Sequence, residues 1–316
     1  MTDISLLDTA RHSDNLGDQI IMDAVMDAVH ESIADANVAH SMATHRYPSP
    51  RDYLALRRSR FAVLGGTNAL KSHMFVRSNW KVTPVDIALM RNVVLLGIGW
   101  QQYQGSPDRL TRWFFESVLS RSHLHSVRDS HSLKMLGRCV PNVVNTSCPT
   151  LWALDEAALA RVPQRKARKA VFALTHYRPH ANDLPIYRHL VEHYEEVFFW
   201  PQQAEDVPYA ASLGMDRMTP IAPELDAYNA VLDHEDVDFV GARLHGGIRA
   251  LQRGRRALIL SVDNRAQEIA RDTQLPVMSR ESLGDIADWI DHPAPMRLNL
   301  PHDAIRAWKA QFRAAA

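Results

Sequence analysis

Asp238-Phe239-Val240-Gly241-Ala242-Arg243-Leu244-His245-Gly246-Gly247 is the stretch whose reading decides the fold. A short apolar run that ends abruptly in charged residues and a glycine pair reads as a strand buried on both faces, the kind parallel sheets use. Arg243 and His245 are alternate residues and face the same side if the extended backbone continues. The two glycines then open a helix. A permanently charged fork, an imidazole that exchanges protons near neutrality and a helix amino terminus are thereby gathered at one strand end. That combination suits an anionic substrate undergoing proton transfer, whereas a lone histidine elsewhere is more often a hydrogen-bonded structural residue.

The same strand-turn-helix grammar extends along the chain in both directions. Strands are expected at Ile4 to Leu7, Phe61 to Leu64, Val93 to Gly97, His123 to Val127, Ala170 to Leu174, Glu196 to Phe199 and Ala257 to Val262. Helical stripes separate them: Ile20, Ile21, Ala24, Val25, Ala28 and Val29 fall on one face of Gln19 to Ala34. Further helices are expected over Asp108 to Ser120, Ile186 to His193, Gly246 to Gln252, Arg265 to Thr273 and His302 to Ala314, the last with Ile305, Trp308 and Phe312 on one face. The pattern lapses between Glu156 and Lys169, where the basic run Arg161 to Lys169 reads as a solvated linker. The expectation is an α/β chain of two Rossmann-like doubly wound domains facing a cleft, residues 1–160 and 161–316, with the final helix free to pack on either one.

Composition agrees with a globular chain of this kind. The 316 residues are 46% apolar and 23% charged, and 36 Lys and Arg balance 36 Asp and Glu. A net charge of zero argues against a nucleic-acid binder held by counterion release, although local basic patches leave peripheral membrane contact open. The longest apolar stretch, Val93 to Trp100, falls far short of the about 20 residues a bilayer span requires. The amino terminus lacks the pattern of a secretory signal, so a cytoplasmic protein is expected, with Cys139 and Cys148 as reduced thiols. His180, His189 and His193 are loosely spaced and read as surface or helix-packing residues, so neither a metal nor a cofactor is expected.

In parallel sheets ligands bind beyond the carboxyl ends of strands, so the strand-to-helix turns hold the candidate residues. Asn15-Leu16-Gly17-Asp18 opens the first helix, where Asn15 or Asp18 either caps the helix or meets a ligand. Gly65-Gly66 follows the second expected strand and lets a ligand or another backbone approach, without completing a dinucleotide fingerprint. Gly97-Ile98-Gly99 reads as a tight turn. Arg128 ends a further strand, where it either grips phosphate or carboxylate or pairs with Asp129. Trp100, Tyr103, Tyr177 and Trp200 lie near strand ends, more as packing groups than as platforms for sugar rings.

In this order the turns resemble the polysaccharide pyruvyl transferase family, through Asn15-Leu16-Gly17-Asp18, Gly65-Gly66, Gly97-Ile98-Gly99, Arg128-Asp129 and, most specifically, Arg243-Leu244-His245. Two departures stand out: Thr67 replaces a usual third glycine, and Arg265 stands where the family commonly has a lysine. The resemblance implies a GT-B-like fold and transfer of the pyruvyl group of phosphoenolpyruvate onto two hydroxyls of a sugar, free or carried on nucleotide or lipid, as a ketal. It implies His245 as general acid or base, Arg243 as its anion-binding partner and Asp18 at the acceptor hydroxyl. Asn15, Gly17, Gly65, Gly66, Arg128, Gly246 and Arg265 follow as substrate-binding residues. A glycosyltransferase of the same shape, with Arg243 and Arg265 on the diphosphate of a nucleotide sugar, is the alternative, and a silent binder of a phosphorylated ligand is a third reading.

Overall fold

The structure, a computed structural model, describes residues 1–313. In chain order the elements are β1 (Thr2–Asp8), α1 (Leu16–Ser32), β2 (Ala36–Ala43), α2 (Pro50–Arg58), β3 (Phe61–Gly65), α3 (Asp86–Leu89), β4 (Val93–Leu96), α4 (Arg109–Val118), β5 (His125–Val127), α5 (Ser130–Leu136) and β6 (Val143–Asn145). A 3-10 turn at Pro149–Leu151 precedes α6 (Glu156–Ala160), β7 (Lys169–Ala173), α7 (Asp183–His193), β8 (Glu196–Phe199), α8 (Asp206–Ser212), β9 (Thr219–Pro220), α9 (Leu225–His234) and β10 (Val237–Gly241). The chain ends with α10 (Leu244–Gln252), β11 (Ala257–Ser261), α11 (Asn264–Thr273), β12 (Val277–Ser279), α12 (Leu283–Asp291) and α13 (His302–Ala310). Ala314, the expected last residue of the final helix, lies outside the described residues.

Two compact units result. The first comprises Met1–Ser13, Ile21–Trp152 and the chain from Leu300 on; the second comprises Asp14–Ile20 and Ala153–Asn299. This division replaces the expected boundary at 160/161. The Ala-rich segment from Glu156 is short helix α6, capped by Asp155, which accepts from Ala158 N at 2.7 Å. The basic run is not a free linker throughout, because Ala167 is buried and Lys169 already belongs to β7.

In the first unit the parallel strand order is β2-β1-β3-β4, and β5 and β6 form a further parallel pair beside it through the bridge Ile98↔Val127. The order reverses between β1 and β3. Strand alternation sorts the side chains: Phe61 and Val63 join one core layer with α1 residues Ile21, Val25 and Val29, while Ala62 and Leu64 join the other with Phe114 and Phe115 of α4. Helix starts follow local chemistry. Ser49 and Asp52 form a capping box at α2, and Asp108 and Asp129 cap α4 and α5 through Thr111 N and Ser132 N. Helix α13 packs on this unit, with Trp308 fully buried and its Nε1 donating to Leu95 O at 3.1 Å.

In the second unit the order is β12-β11-β10-β7-β8-β9, all parallel, which is the 3-2-1-4-5-6 arrangement of a Rossmann sheet. The order reverses between β7 and β10, paired from Val237↔Lys169 to Gly241↔Ala173. All five residues of β10 are buried. Asp238, its one charged residue, is satisfied by Arg256 NH2 at 2.8 Å and the Tyr194 hydroxyl at 2.6 Å. Ala170, Phe172 and Leu174 pack with Ile186 and Leu190 of α7 and Ile286, Trp289 and Ile290 of α12 in one cluster, each large side chain contributing about 1.5–3 kcal/mol.

Both glycines after His245 serve close packing of α10. A Cβ at Gly247 would lie 2.4 Å from Ile259 Cγ1 in β11, and one at Gly246 would lie 2.8 Å from Gln202 Nε2 and 3.1 Å from the Trp200 ring. Gly247→Ala is expected to destabilise the protein by about 1–3 kcal/mol through overpacking, read as a lower denaturation midpoint. A wild-type midpoint would show that β11 yields to the added methyl.

Candidate active site

The carboxyl ends of β7 and β10 flank the reversal of strand order in the second unit, the place where open α/β sheets bind ligands. A small cavity, about 30 Å³, lies there. Its lining includes Asn15, Gly17, Tyr177, Gln202, Arg243, His245, Asp263 and Arg265. Three helices present their amino ends to it: Asn15 and Gly17 at α1, Arg243 to His245 at α10, and Asp263 to Ala266 at α11. Each such end carries roughly half a positive charge, and Asn15 Oδ1 and Asp263 Oδ1 already accept from Gly17 N at 3.1 Å and Arg265 N at 2.9 Å at the starts of α1 and α11, so the cavity offers an anion positive potential more than free donors.

Helix α10 begins earlier than its glycines suggest. Gly247 N donates to Arg243 O at 3.1 Å, which makes Arg243 the residue before the helix and puts His245 in its first turn. The strand alternation expected to aim Arg243 and His245 the same way therefore stops at Gly241. Both still reach the cavity wall because helical and extended geometry meet at this point. His245 is 7% exposed and Arg243 is 3% exposed.

The Arg243 guanidinium is held from three sides. Its Nε donates to Leu174 O at 2.7 Å, NH1 to Gln203 Oε1 at 3.0 Å, and NH2 to Asp206. Three of its five N–H donors are thus committed to the protein. Asp206 is fully buried and also accepts from His176 N at 3.1 Å and from Gln202 N and Gln203 N at 3.2 Å, with His176 Nδ1 3.0 Å away. One carboxylate therefore organises the ends of β7 and β8 around the arginine.

Arg265 is similarly anchored, with Nε and NH2 each 2.7 Å from Asp263 Oδ2, while Asp263 Oδ1 accepts from Arg265 N at 2.9 Å. Burial acts to lower the Arg265 pKa, and the Asp263 carboxylate reverses that and holds the guanidinium firmly charged. Since Asp206 and Asp263 neutralise the two arginines, the positive potential of the cavity depends on the helix ends as much as on guanidinium charge. Tyr177 stands between them, its hydroxyl 3.5 Å from Arg265 NH2 and its ring centroid 5.3 Å from Arg243 Cζ. Burial raises the Tyr177 phenol, and the charges of Arg265 and Arg243 more than offset it, leaving its pKa below the ordinary phenol value.

Five of the ten residues singled out from sequence thus line one cavity: Asn15, Gly17, Arg243, His245 and Arg265. Asp18 lies half-buried in the first turn of α1, and Gly246 faces Gln202, Trp200 and Phe239. Gly65 and Gly66 belong to the first unit, where an added Cβ would lie 2.6 Å from Val25 and Ile21 respectively, so α1 occupies the space a ligand would need. Arg128, expected to project from its strand, is instead 2% exposed within that unit. It donates to Asn68 Oδ1, sits 3.5 Å from Asp129, and packs on Gly99, whose Cβ would fall 2.4 Å from the guanidinium. The absent side chain of Gly99 makes that inward rotamer available. Trp100 and Trp200 are buried, Trp200 stacking on Tyr228 at 3.7 Å.

Sequence reading missed Gln202, Gln203, Asp206 and His176. Gln202 is 3% exposed, its backbone O accepts from Leu16 N at 3.3 Å, and its Nε2 has no hydrogen-bond partner among the described residues. A buried amide nitrogen left unsatisfied on a cavity wall is a candidate binding group. The signal that could have revealed these residues was their place directly beyond the strands Ala170 to Leu174 and Glu196 to Phe199.

The sequence profile of the polysaccharide pyruvyl transferase family matches residues 15–264, from the α1 turn to the start of α11. The chain belongs to this family. No curated relative matches the chain. Among solved structures it is similar to a UDP-GlcNAc 2-epimerase of Methanocaldococcus jannaschii in complex with UDP-GlcNAc and UDP, at 10% identity and a TM-score of 0.56, covering 99% of this chain and 98% of that one. It is also similar to S. aureus MnaA solved with UDP, at 12% identity and a TM-score of 0.52, covering 99% and 95%. These likenesses establish a GT-B-like fold of two Rossmann-like units. Among the described residues, no helix is long and apolar enough to cross a membrane.

Proposed function

We propose that this member of the polysaccharide pyruvyl transferase family uses phosphoenolpyruvate as donor and builds a pyruvate ketal across two hydroxyls of a sugar. The observation that carries the reading is the convergence of three helix amino ends, Arg243, Arg265 and the imidazole-bearing His245 on one cavity. Phosphoenolpyruvate is a small ester with a carboxylate and a phosphate, and such a cavity supplies N–H donors and positive potential for both. The unpartnered Gln202 amide adds a neutral donor for a donor-substrate oxygen.

In this scheme His245 delivers a proton to the methylene carbon, making the adjacent carbon electrophilic. The first acceptor hydroxyl adds to that carbon and loses its proton. Phosphate leaves with the enol oxygen, stabilised by the N–H donors of the cavity. The second hydroxyl then closes the ketal and loses its own proton. Of the two protons released from the hydroxyls, one replaces the proton that His245 gave to carbon and the other leaves on phosphate as hydrogen phosphate. Asp18, beside Asn15 and Gly17, is assigned to orienting the acceptor. The acceptor is a sugar of a polysaccharide or its nucleotide- or lipid-carried precursor, and the reaction is placed in the cytoplasm with its donor.

Incubation with phosphoenolpyruvate and a panel of free, nucleotide-linked and lipid-linked sugars is expected to release inorganic phosphate. The accepting sugar should gain the mass of one pyruvic acid less one water. Nucleotide release from a nucleotide sugar, with no consumption of phosphoenolpyruvate, would replace this reading with glycosyl transfer.

A further inference from the structure

Away from the cavity, helix α7 carries His189 and His193 four positions apart, one turn along the same face. Their rings stack with centroids 3.9 Å apart. Asp291, the last residue of α12, meets them: its Oδ2 lies 3.7 Å from Nε2 of His189 and 3.7 Å from Nε2 of His193. These separations are too long for hydrogen bonds. They approach the edges of a zinc coordination tetrahedron, about 3.3–3.4 Å for bond lengths near 2.05 Å.

The surroundings prepare the three atoms as ligands. His193 Nδ1 lies 2.9 Å from His189 O, and a carbonyl only accepts, so the proton is on Nδ1 and the Nε2 lone pair faces Asp291 when the ring is neutral. His189 Nε2 is buried and has no hydrogen-bond partner among the described residues. Lys166 stands outside the group, its Nζ 3.7 Å from Asp291 Oδ1 and donating to His193 O at 2.9 Å. It therefore steadies the carboxylate without occupying the space between the ligands. Helices α7 and α12 are in contact, and Ile186, Leu190, Ile286 and Ile290 belong to one core cluster that fixes both beside the site.

We propose that His189, His193 and Asp291 bind a divalent transition-metal ion of the zinc type, which clamps α7 to α12 and keeps its fourth position open to water. The donor set of two imidazoles and one carboxylate suits zinc over calcium or magnesium, which prefer oxygen ligands alone. The proposal departs from the sequence expectation of no metal because histidines loosely spaced among themselves gain a third candidate ligand from a residue about a hundred positions away, which only folding brings near.

Chelator-treated full-length protein titrated with zinc chloride in a calorimeter is expected to bind one equivalent at this site, with a rise in Tm. His193→Ala and Asp291→Asn should each weaken that binding at least tenfold and abolish the Tm rise, and His189→Gln is a milder substitution giving the same result. His234→Ala, at an exposed position on α9, should bind as the wild type does. Absence of zinc binding at micromolar free metal, or equal binding by wild type and all three ligand variants, would overturn the proposal.

Discussion

His245→Ala is expected to lower turnover by about a hundredfold to ten thousandfold, the range associated with a positioned proton-transfer group. The expectation rests on place as well as residue type. His245 lies in the first turn of α10 on the cavity wall, 7% exposed and therefore shielded from bulk water. Substitution there leaves the core beneath α10 intact, since Ile248, Ala250 and Leu251 carry the packing of that helix. The variant should thus retain a cooperative thermal transition while phosphate release from phosphoenolpyruvate falls. If a folded variant releases phosphate at the wild-type rate, proton delivery belongs to another group, and Tyr177, whose phenol is acidified by Arg265 and Arg243, is next in line.

A second large effect is expected at Arg243, and here stability and binding separate. Arg243→Ala removes the partner of the fully buried Asp206 and also frees Leu174 O and Gln203 Oε1, so a loss of about 3–5 kcal/mol is expected. Arg243→Lys keeps one charge for Asp206 but cannot reach all three acceptors with a single ammonium. It should therefore fold better than the alanine variant while binding phosphoenolpyruvate more weakly than wild type, as calorimetry would measure. Equal affinity in the lysine variant would mean that the helix amino ends bind the anion without the guanidinium fork.

The site was partly legible before folding for a definable reason. Strand-to-helix turns have local signatures, so Asn15, Gly17, Arg243, His245 and Arg265 could be singled out from a few neighbouring residues each. Arg128 has an equally suggestive local setting, yet its side chain turns inward over Gly99, a choice made by a residue 29 positions away. The glycine turns mislead in the same way: Gly65, Gly66, Gly246 and Gly247 accommodate helices α1 and α10 and neighbouring side chains. Both a ligand and a packed helix demand the absence of a Cβ, and sequence alone does not distinguish them.

Strand β2 shows a further limit. Its burial is mixed, with only its last two residues fully buried, so it lacks the apolar run that marked β3 and β4. It is an edge strand, and partial exposure removes the pattern by which central strands announce themselves.

What the sequence by itself determined is the class of fold and the sites of its turns, because hydrophobic periodicity, helix capping and apolar strand runs are written in neighbouring residues. Only the tertiary structure decided which turns share a cavity, which arginines are spent on buried carboxylates, and where Asp291 meets two histidines. Those outcomes depend on the sheet order that lays β10 against β7 and on packing that brings α12 to α7, and such contacts between distant segments leave no local pattern in the chain.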